Sequence, residues 1–478
     1  MTPAARLAAA ASVLDSIAHS RQPAEVVLKA WGAANRYAGS TDRRAIADRV
    51  YKVIRARGRL VWAMGGREDG RALVIGSLSL IDDLPLDEIE LLHSGEGYGP
   101  RPLSKQERGR ITAAPGELPG WVAAGLPEFV VEDFKTVFGD RWTEEAHALM
   151  APRAPIDLRV NGAKTTVAAV EAELRAAGLA PERTPWSVWG LRLTSEPPPN
   201  VQALDAFKQG HIEIQDEGSQ VACWLAGVEP GMTVVDYCAG GGGKTLGLAM
   251  MGQPVATKAP KVQAEAAPAA VWSPVGGEGE AAPAPAKPKA RPAEAPVSSI
   301  RLVAYDVVQK RLDNIRPRLS RAGVTADLRL LGPNGGGVEE LVRQADVVLV
   351  DAPCSGSGTW RRRPEDAWRL KPSEIERLHN LQVSILSRAA ALVKPGGRLV
   401  FITCSMLRAE NEASADAFEE NHPEFAPVPV AEALNSPALS DAARDRLGTL
   451  AAGGHRLRLS PASTGTDGFF AAVYERTA

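Results

Sequence analysis

Cysteine is scarce in this chain: four residues in 478, at Cys223, Cys238, Cys354 and Cys404. They are too few and too scattered for a disulfide framework, and no two are spaced as a zinc knuckle, so reduced thiols and no metal site are expected. An excess of charge of one sign is also lacking, with 55 Lys and Arg against 57 Asp and Glu and a formal net charge of -2. That balance excludes a uniformly basic nucleic-acid binder and confines any RNA contact to local patches. No apolar run approaches the roughly 18 residues of a membrane span. The stretch Met1 to Ala11 is rich in alanine but lacks the sustained apolar core of a secretory signal. These absences point to a cytoplasmic protein with no membrane partner.

What is present is length enough for about three domains. From Ala5 to about Trp62 apolar residues recur at helical spacing through Val13, Ile17, Val26 and Leu28, then Ile46, Val50, Val53 and Leu60. The second run carries Arg43, Arg44, Arg49, Lys52, Arg55, Arg57 and Arg59 against Asp42 and Asp48, a face able either to track a phosphate backbone or simply to be solvated. Further helices follow to about Gly139, the clearest from Trp121 to Phe138. Residues 1–140 are thus expected as a helical domain. From Ile156 to Val160 and again from Trp189 to Thr194 the period changes to that of strands, with an amphipathic helix between, which gives a small α+β, RRM-like module over 141–205.

Residues 206–478 read as a Rossmann-like α/β domain. Thr233 to Asp236 is a buried strand, Cys238, Ala239, Gly240, Gly241, Gly242, Gly243, Lys244 and Thr245 form a glycine-rich turn, and a helix follows. Strand, glycine loop and helix bring bare backbone close to a nucleotide-like ligand. A phosphate-binding P-loop would need Gly at position 238, where the chain has Cys, so an S-adenosylmethionine fold is favoured. The Ala/Pro-rich stretch at about 252–298 cannot bury a core and is expected as a disordered surface insertion within this domain, unless it holds a short recognition motif. With it removed, Asp306 falls about 16 residues after Gly243, near the roughly 20 at which an acidic residue bonds a ribose.

The strand Val347 to Val350 leads into Asp351-Ala-Pro-Cys354-Ser-Gly, and the strand Leu399 to Thr403 into Cys404. Two strands of one sheet therefore deliver thiols to the edge where open α/β folds place their chemistry. Arg361, Arg362 and Arg363 follow as candidate contacts for a flanking RNA phosphate, or as a solvated run.

Asp351-Ala-Pro-Cys354-Ser-Gly, Thr403-Cys404-Ser405, Cys238 to Thr245, Gln215-Asp-Glu-Gly-Ser-Gln220 and Asp467-Gly-Phe-Phe470 together resemble the signature set of the RsmB/Sun family of RNA 5-methylcytosine methyltransferases. The likeness spans about 150 to 478. The segments Asp42 to Tyr51 and Arg57 to Trp62 are similar to the NusB-like RNA-binding domain of the family's ribosomal RNA members. The resemblance implies methyl transfer from S-adenosylmethionine to cytosine C5, most naturally in 16S ribosomal RNA. It implies Cys404 as the nucleophile that adds at C6 and Cys354 as the group assisting product release, a step that a thiol of depressed pKa can serve. Asp351 would hold the cytosine edge and Lys244 its O2 or a phosphate. Residues Cys238 to Lys244, with Asp306 and Asp351, would hold the cofactor. The target base must be single-stranded or flipped. Two departures stand out: Gly240 and Gly241 replace the family's Ala-Pro pair, and Leu331-Gly-Pro-Asn334 lacks the aspartate usual beside adenine, leaving Asn334 as the candidate there. The alternatives are a tRNA cytosine-C5 methyltransferase and a catalytically silent ribosome-assembly factor.

Overall fold

The computed structural model describes residues 1–113, 116–150, 153–254 and 299–478. The insertion expected at about 252–298 therefore lies, from residue 255 on, outside the described residues. The N-terminal region is helical, with Pro3–His19, Ala24–Ala34, Ser40–Arg55 and Gly70–Leu80 as its longest members. Side-chain caps start two of them: Thr2 accepts from the Ala5 N–H and Asp69 from that of Ala72. Leu7, Val13, Ile46, Val53, Leu60 and Ile75 share one apolar core.

The continuous helix expected from Trp121 to Phe138 is instead two. Gly120–Ala124 stops at Gly125, which takes φ of +73°, Pro127 follows, and the helix resumes as Val131–Phe138. Glycine past a helix end with proline shortly after it is a stop signal that outweighs the apolar spacing. The expected basic face is also largely occupied. Arg49 and Lys52 pair with Asp82, Arg57 pairs with Glu68, and Arg55 donates to the carbonyls of Met150 and Arg361. Arg44 and Arg59 stay exposed.

The small module is an antiparallel sheet of β1 (Ile156–Val160), β2 (Glu182–Arg183), β3 (Gly190–Leu193) and β4 (Ile212–Ile214) in the order β2-β3-β1-β4. Helix Val167–Ala176 covers it, burying Val170 and Leu174 against Leu158, Val160 and Leu191. Its fourth strand comes from beyond residue 205, so the sheet runs into the segment read as the start of the next domain.

The large sheet contains β5 (Thr233–Asp236), β6 (Arg301–Asp306), β7 (Asp327–Leu330), β8 (Ala345–Asp351), β9 (Val393–Thr403), β10 (Phe425–Pro427), β11 (Arg456–Leu459) and β12 (Phe469–Arg476). The order is β10-β12-β9-β8-β5-β6-β7, with β11 on β12. β5 to β9 are parallel, and β12 returns antiparallel to β9. Strand order reverses between β5 and β8, and the crevice beyond the carboxyl ends at such a reversal is where open α/β sheets bind ligands.

Candidate active site

β8 is a Val/Leu-rich strand buried on both faces, and it ends by carrying Asp351 to the carboxyl edge. β9 lies beside it in parallel register, Asp351 opposite Ile402, and the Ala352 N–H donates to the Ile402 carbonyl at 2.8 Å. Cys354, three residues past β8, and Cys404, one past β9, are thereby brought face to face with their Sγ atoms 3.4 Å apart. The hydrogen bond with Cys404, together with burial, pushes the Cys354 thiol well above its usual pKa. This runs opposite to the depressed value expected for it and favours a neutral Cys354 thiol in contact with Cys404.

Lys244, in the first turn of helix Gly243–Met251, is 7% exposed, and its ammonium meets Asp351 Oδ2 at 2.7 Å. Burial works against that charge, but Asp351 more than offsets it and holds the lysine above its ordinary pKa. The Phe469 ring lies 5.2 Å from Nζ. In this structure Lys244 is therefore the partner of Asp351, beneath the place expected for a base.

The C-terminal Asp467-Gly-Phe-Phe470 reaches the same edge through backbone. Gly468 donates to the Gly358 carbonyl at 2.8 Å, and Gly358 to that of Cys404 at 2.9 Å. A Cβ on Gly358 would lie 2.1 Å from the Gly468 oxygen, so only glycine permits this approach. Arg361 and Arg362 depart from expectation. Arg361 is buried and binds Asp467 at 2.5 Å and Asp216 at 3.2 Å, while Arg362 binds the same two at 2.5 and 2.9 Å. Two buried carboxylates require these cations, so both guanidinium groups are already engaged within the protein. Arg363 alone of the three is exposed. Asp216 also caps helix Glu217–Trp224 by accepting from the Gly218 N–H, which gives Gln215 to Gln220 its place.

Beneath the thiols lies a group that motif reading missed. Glu410, fully buried, accepts from the Ser355 N–H at 2.6 Å and from the Ser355 and Ser405 hydroxyls at 2.5 Å each. Burial raises its pKa, and the serine hydrogen bonds act against that rise. Nothing in a single sequence marks one glutamate six residues past a cysteine.

A cavity of about 660 Å³ opens beside Asp351 and Pro353. Loops after β5, β6 and β7 wall it with Tyr237, Cys238, Gly240, Asp306 and Asn334, so four of the expected cofactor residues, Asp351 included, share it. Ala239, Gly241, Gly242, Gly243 and Lys244 are not in its wall; Gly242, at φ +81°, instead starts the helix and packs on Ile315.

Residues 286–475 match a family described as 16S rRNA methyltransferase RsmB/F, and residues 126–200 match its ferredoxin-like domain. Over these residues the chain belongs to the RsmB/F methyltransferase family. It is 27% identical over 345 residues to the probable ribosomal RNA small subunit methyltransferase B of Bacillus subtilis (strain 168), covering 72% of this chain and 65% of that one. It is 28% identical over 300 residues to the ribosomal RNA small subunit methyltransferase B of Vibrio cholerae serotype O1, covering 63% and 58%. The chain thus spans about 58% to 65% of the length of these two relatives. A crystal structure described as PH0851 shares the fold, with a TM-score of 0.70 at 24% identity over 100% of this chain and 99% of that one.

RsmB/Sun proteins take S-adenosylmethionine, and the cavity suits it. Its volume lies within the range of small-molecule sites. The Tyr237 hydroxyl in its wall is buried with no hydrogen-bond partner among the described residues. Asp306 takes the Gly240 N–H at 3.0 Å and the Val308 N–H at 2.8 Å, one on each carboxylate oxygen, and the other lone pairs can accept ribose hydroxyls. Among the described residues no helix is long and apolar enough to cross a membrane, and no group of three or more His, Cys, Asp or Glu could hold a metal ion.

Proposed function

We propose that this protein methylates C5 of a cytosine in RNA, most naturally small-subunit ribosomal RNA, as the names of its relatives indicate. The observation that carries the proposal is the pair of thiols 3.4 Å apart next to an Asp351–Lys244 pair and a cofactor-sized cavity. Cytosine C5 is a poor nucleophile until a thiolate adds at C6 and turns the ring into an enamine. Cys404 makes that bond, and Asp351, fixed by Lys244, bonds the ring as positive charge develops at N3. S-adenosylmethionine, bound in the cavity, supplies the methyl group. Cys354 then serves release in one elimination: the C5–H electron pair forms C5=C6 and expels the Cys404 sulfur, which takes the Cys354 S–H proton while the Cys354 sulfur takes the C5 proton. A neutral Cys354 suits this order better than a resting thiolate would. A silent RNA-binding factor would have no use for a buried lysine, a carboxylate and two opposed thiols at one edge. The helical N-terminal region and exposed Arg363 are proposed RNA contacts.

Purified protein, S-adenosylmethionine and total RNA test this, with the modified base mapped by bisulfite sequencing. Cys404→Ala should abolish methylation, and Cys354→Ala should accumulate a covalent RNA adduct that survives denaturant. Methylation by Cys404→Ala at the unmodified rate would refute the nucleophile assignment. Mapping to transfer RNA would move the substrate while leaving the chemistry.

A further inference from the structure

Each thiol sits on a separate loop, and nothing covalent fixes the distance between them. The Cys354 loop leaves β8 and the Cys404 loop leaves β9. The side chain next to each cysteine, Ser355 or Ser405, turns inward to one shared acceptor. Glu410 Oε2 takes both hydroxyls at 2.5 Å, and Oε1 takes the Ser355 N–H at 2.6 Å. Three donors on one carboxylate make an acceptor-only hub, with no Lys or Arg paired to it in the described structure. Ser357 reinforces the contact, meeting the Ser405 hydroxyl at 3.0 Å and accepting from the Met406 N–H at 2.8 Å. Asn411, the next residue, holds the other side of the Cys404 loop: its Nδ2 donates to the Ser405 carbonyl at 2.9 Å, and its Oδ1 accepts from Thr403 at 2.5 Å.

Burying a carboxylate is costly unless its lone pairs are met by donors. Here the donors that meet it come from both cysteine loops, so the cost of burial ties the loops together. Charge-assisted hydrogen bonds of this kind are about twice as strong as neutral ones. We infer that Glu410 is a positioning residue that sets the distance between the two thiols by fastening both cysteine loops to one buried carboxylate. Glu410 is hydrogen-bonded to Ser355 and Ser405 and to neither sulfur. What the thiols do with that distance rests on the cytosine-methyl-transfer proposal; the clamp itself does not.

Disulfide trapping reads the distance without RNA. Diamide takes two hydrogen atoms from two thiols, leaving one disulfide and a hydrazine, and the product can be mapped by mass spectrometry. In the unmodified protein the Cys354–Cys404 disulfide should form readily. In Glu410→Ala it should form at least tenfold more slowly, with S-adenosylmethionine affinity unchanged because the cavity wall is untouched. The methyl-transfer rate kcat should fall about 100-fold, the scale of a misplacement near 1 Å, with KM for RNA held. Should Glu410→Ala not fold, Ser355→Ala/Ser405→Ala removes the same two hydroxyl donors, and Ser355→Thr, which keeps its hydroxyl, should restore trapping toward that of the unmodified protein. Trapping and kcat at unmodified rates in a folded Glu410→Ala protein would overturn the inference. An unmodified protein that traps in a Glu410-dependent way but never methylates RNA would refute the proposed function and leave the clamp standing.

Discussion

Breaking the Lys244–Asp351 pair one partner at a time should cost unequal amounts, because the partners are unequally buried. The lysine side chain is 7% exposed and the aspartate 33%. Asp351→Asn leaves an ammonium buried under the loop with only a neutral amide and the Phe469 face for company. Truncating one partner of a buried pair costs about 3 to 5 kcal/mol. The lower end, about 3 kcal/mol, applies because the exposed third of Asp351 admits water to its side of the pair. Lys244→Met keeps the stem packed on Phe469 and strands a carboxylate that can hydrate, for about 1 kcal/mol. With both changes no unpaired charge remains, and the double variant should lose only about 1.5 kcal/mol, some 2 to 3 less than the sum of the singles. Urea unfolding of the four proteins at one pH measures this. The lysine's pKa is raised, so the pair's contribution is complete below the ordinary value of 10.5 and declines as pH climbs through the higher folded value. A double variant whose loss equals the sum of the singles within 0.5 kcal/mol would show that the two side chains are neighbours without being partners.

Asp236 is fully buried in β5, with one oxygen taking the Thr245 hydroxyl at 2.6 Å and the other without a hydrogen-bond partner among the described residues, and burial lifts its pKa from 3.8 to about 7. Stability from the protonated form is full below 3.8 and lost as pH rises to about 7, so Asp236→Asn should flatten that decline and stabilise the protein at pH 8 by up to about 4 kcal/mol, read from urea midpoints against pH. Arg362→Ala leaves Asp216 and Asp467 short of one cation and should lower stability by about 3 kcal/mol. Arg363→Ala should stay within 0.5 kcal/mol while weakening RNA binding and its salt dependence, measured by filter binding at two ionic strengths.

Much of the architecture could be read in advance because it rests on short-range patterns. The Val/Leu run before Asp351 and the glycine turn after Asp236 read locally as a strand and a strand-to-helix turn, and both form, with β5 and β8 neighbours in the sheet. The side-chain partners were not legible, because they depend on which distant segments meet. Three consecutive arginines look alike in sequence, yet Asp216 and Asp467, far apart along the chain, claim two of them and leave the third. The partners of the basic helix face were hidden in the same way, since Asp82 and Glu68 approach it only through tertiary packing. Glu410 was invisible for a related reason: its partners are defined by the meeting of two loops.

The thiols themselves show how far topology alone carries the chemistry. Parallel strands with Asp351 opposite Ile402 bring the residues just beyond each strand out at one edge, which places Cys354 and Cys404 in the same neighbourhood and leaves their separation to the loops. Adjacency does not say which sulfur keeps a proton. The hydrogen bond with Cys404, together with burial, favours the neutral thiol at Cys354. A neutral Cys354 suits the releasing role proposed for it, and the same proposal leaves the attack on C6 to Cys404.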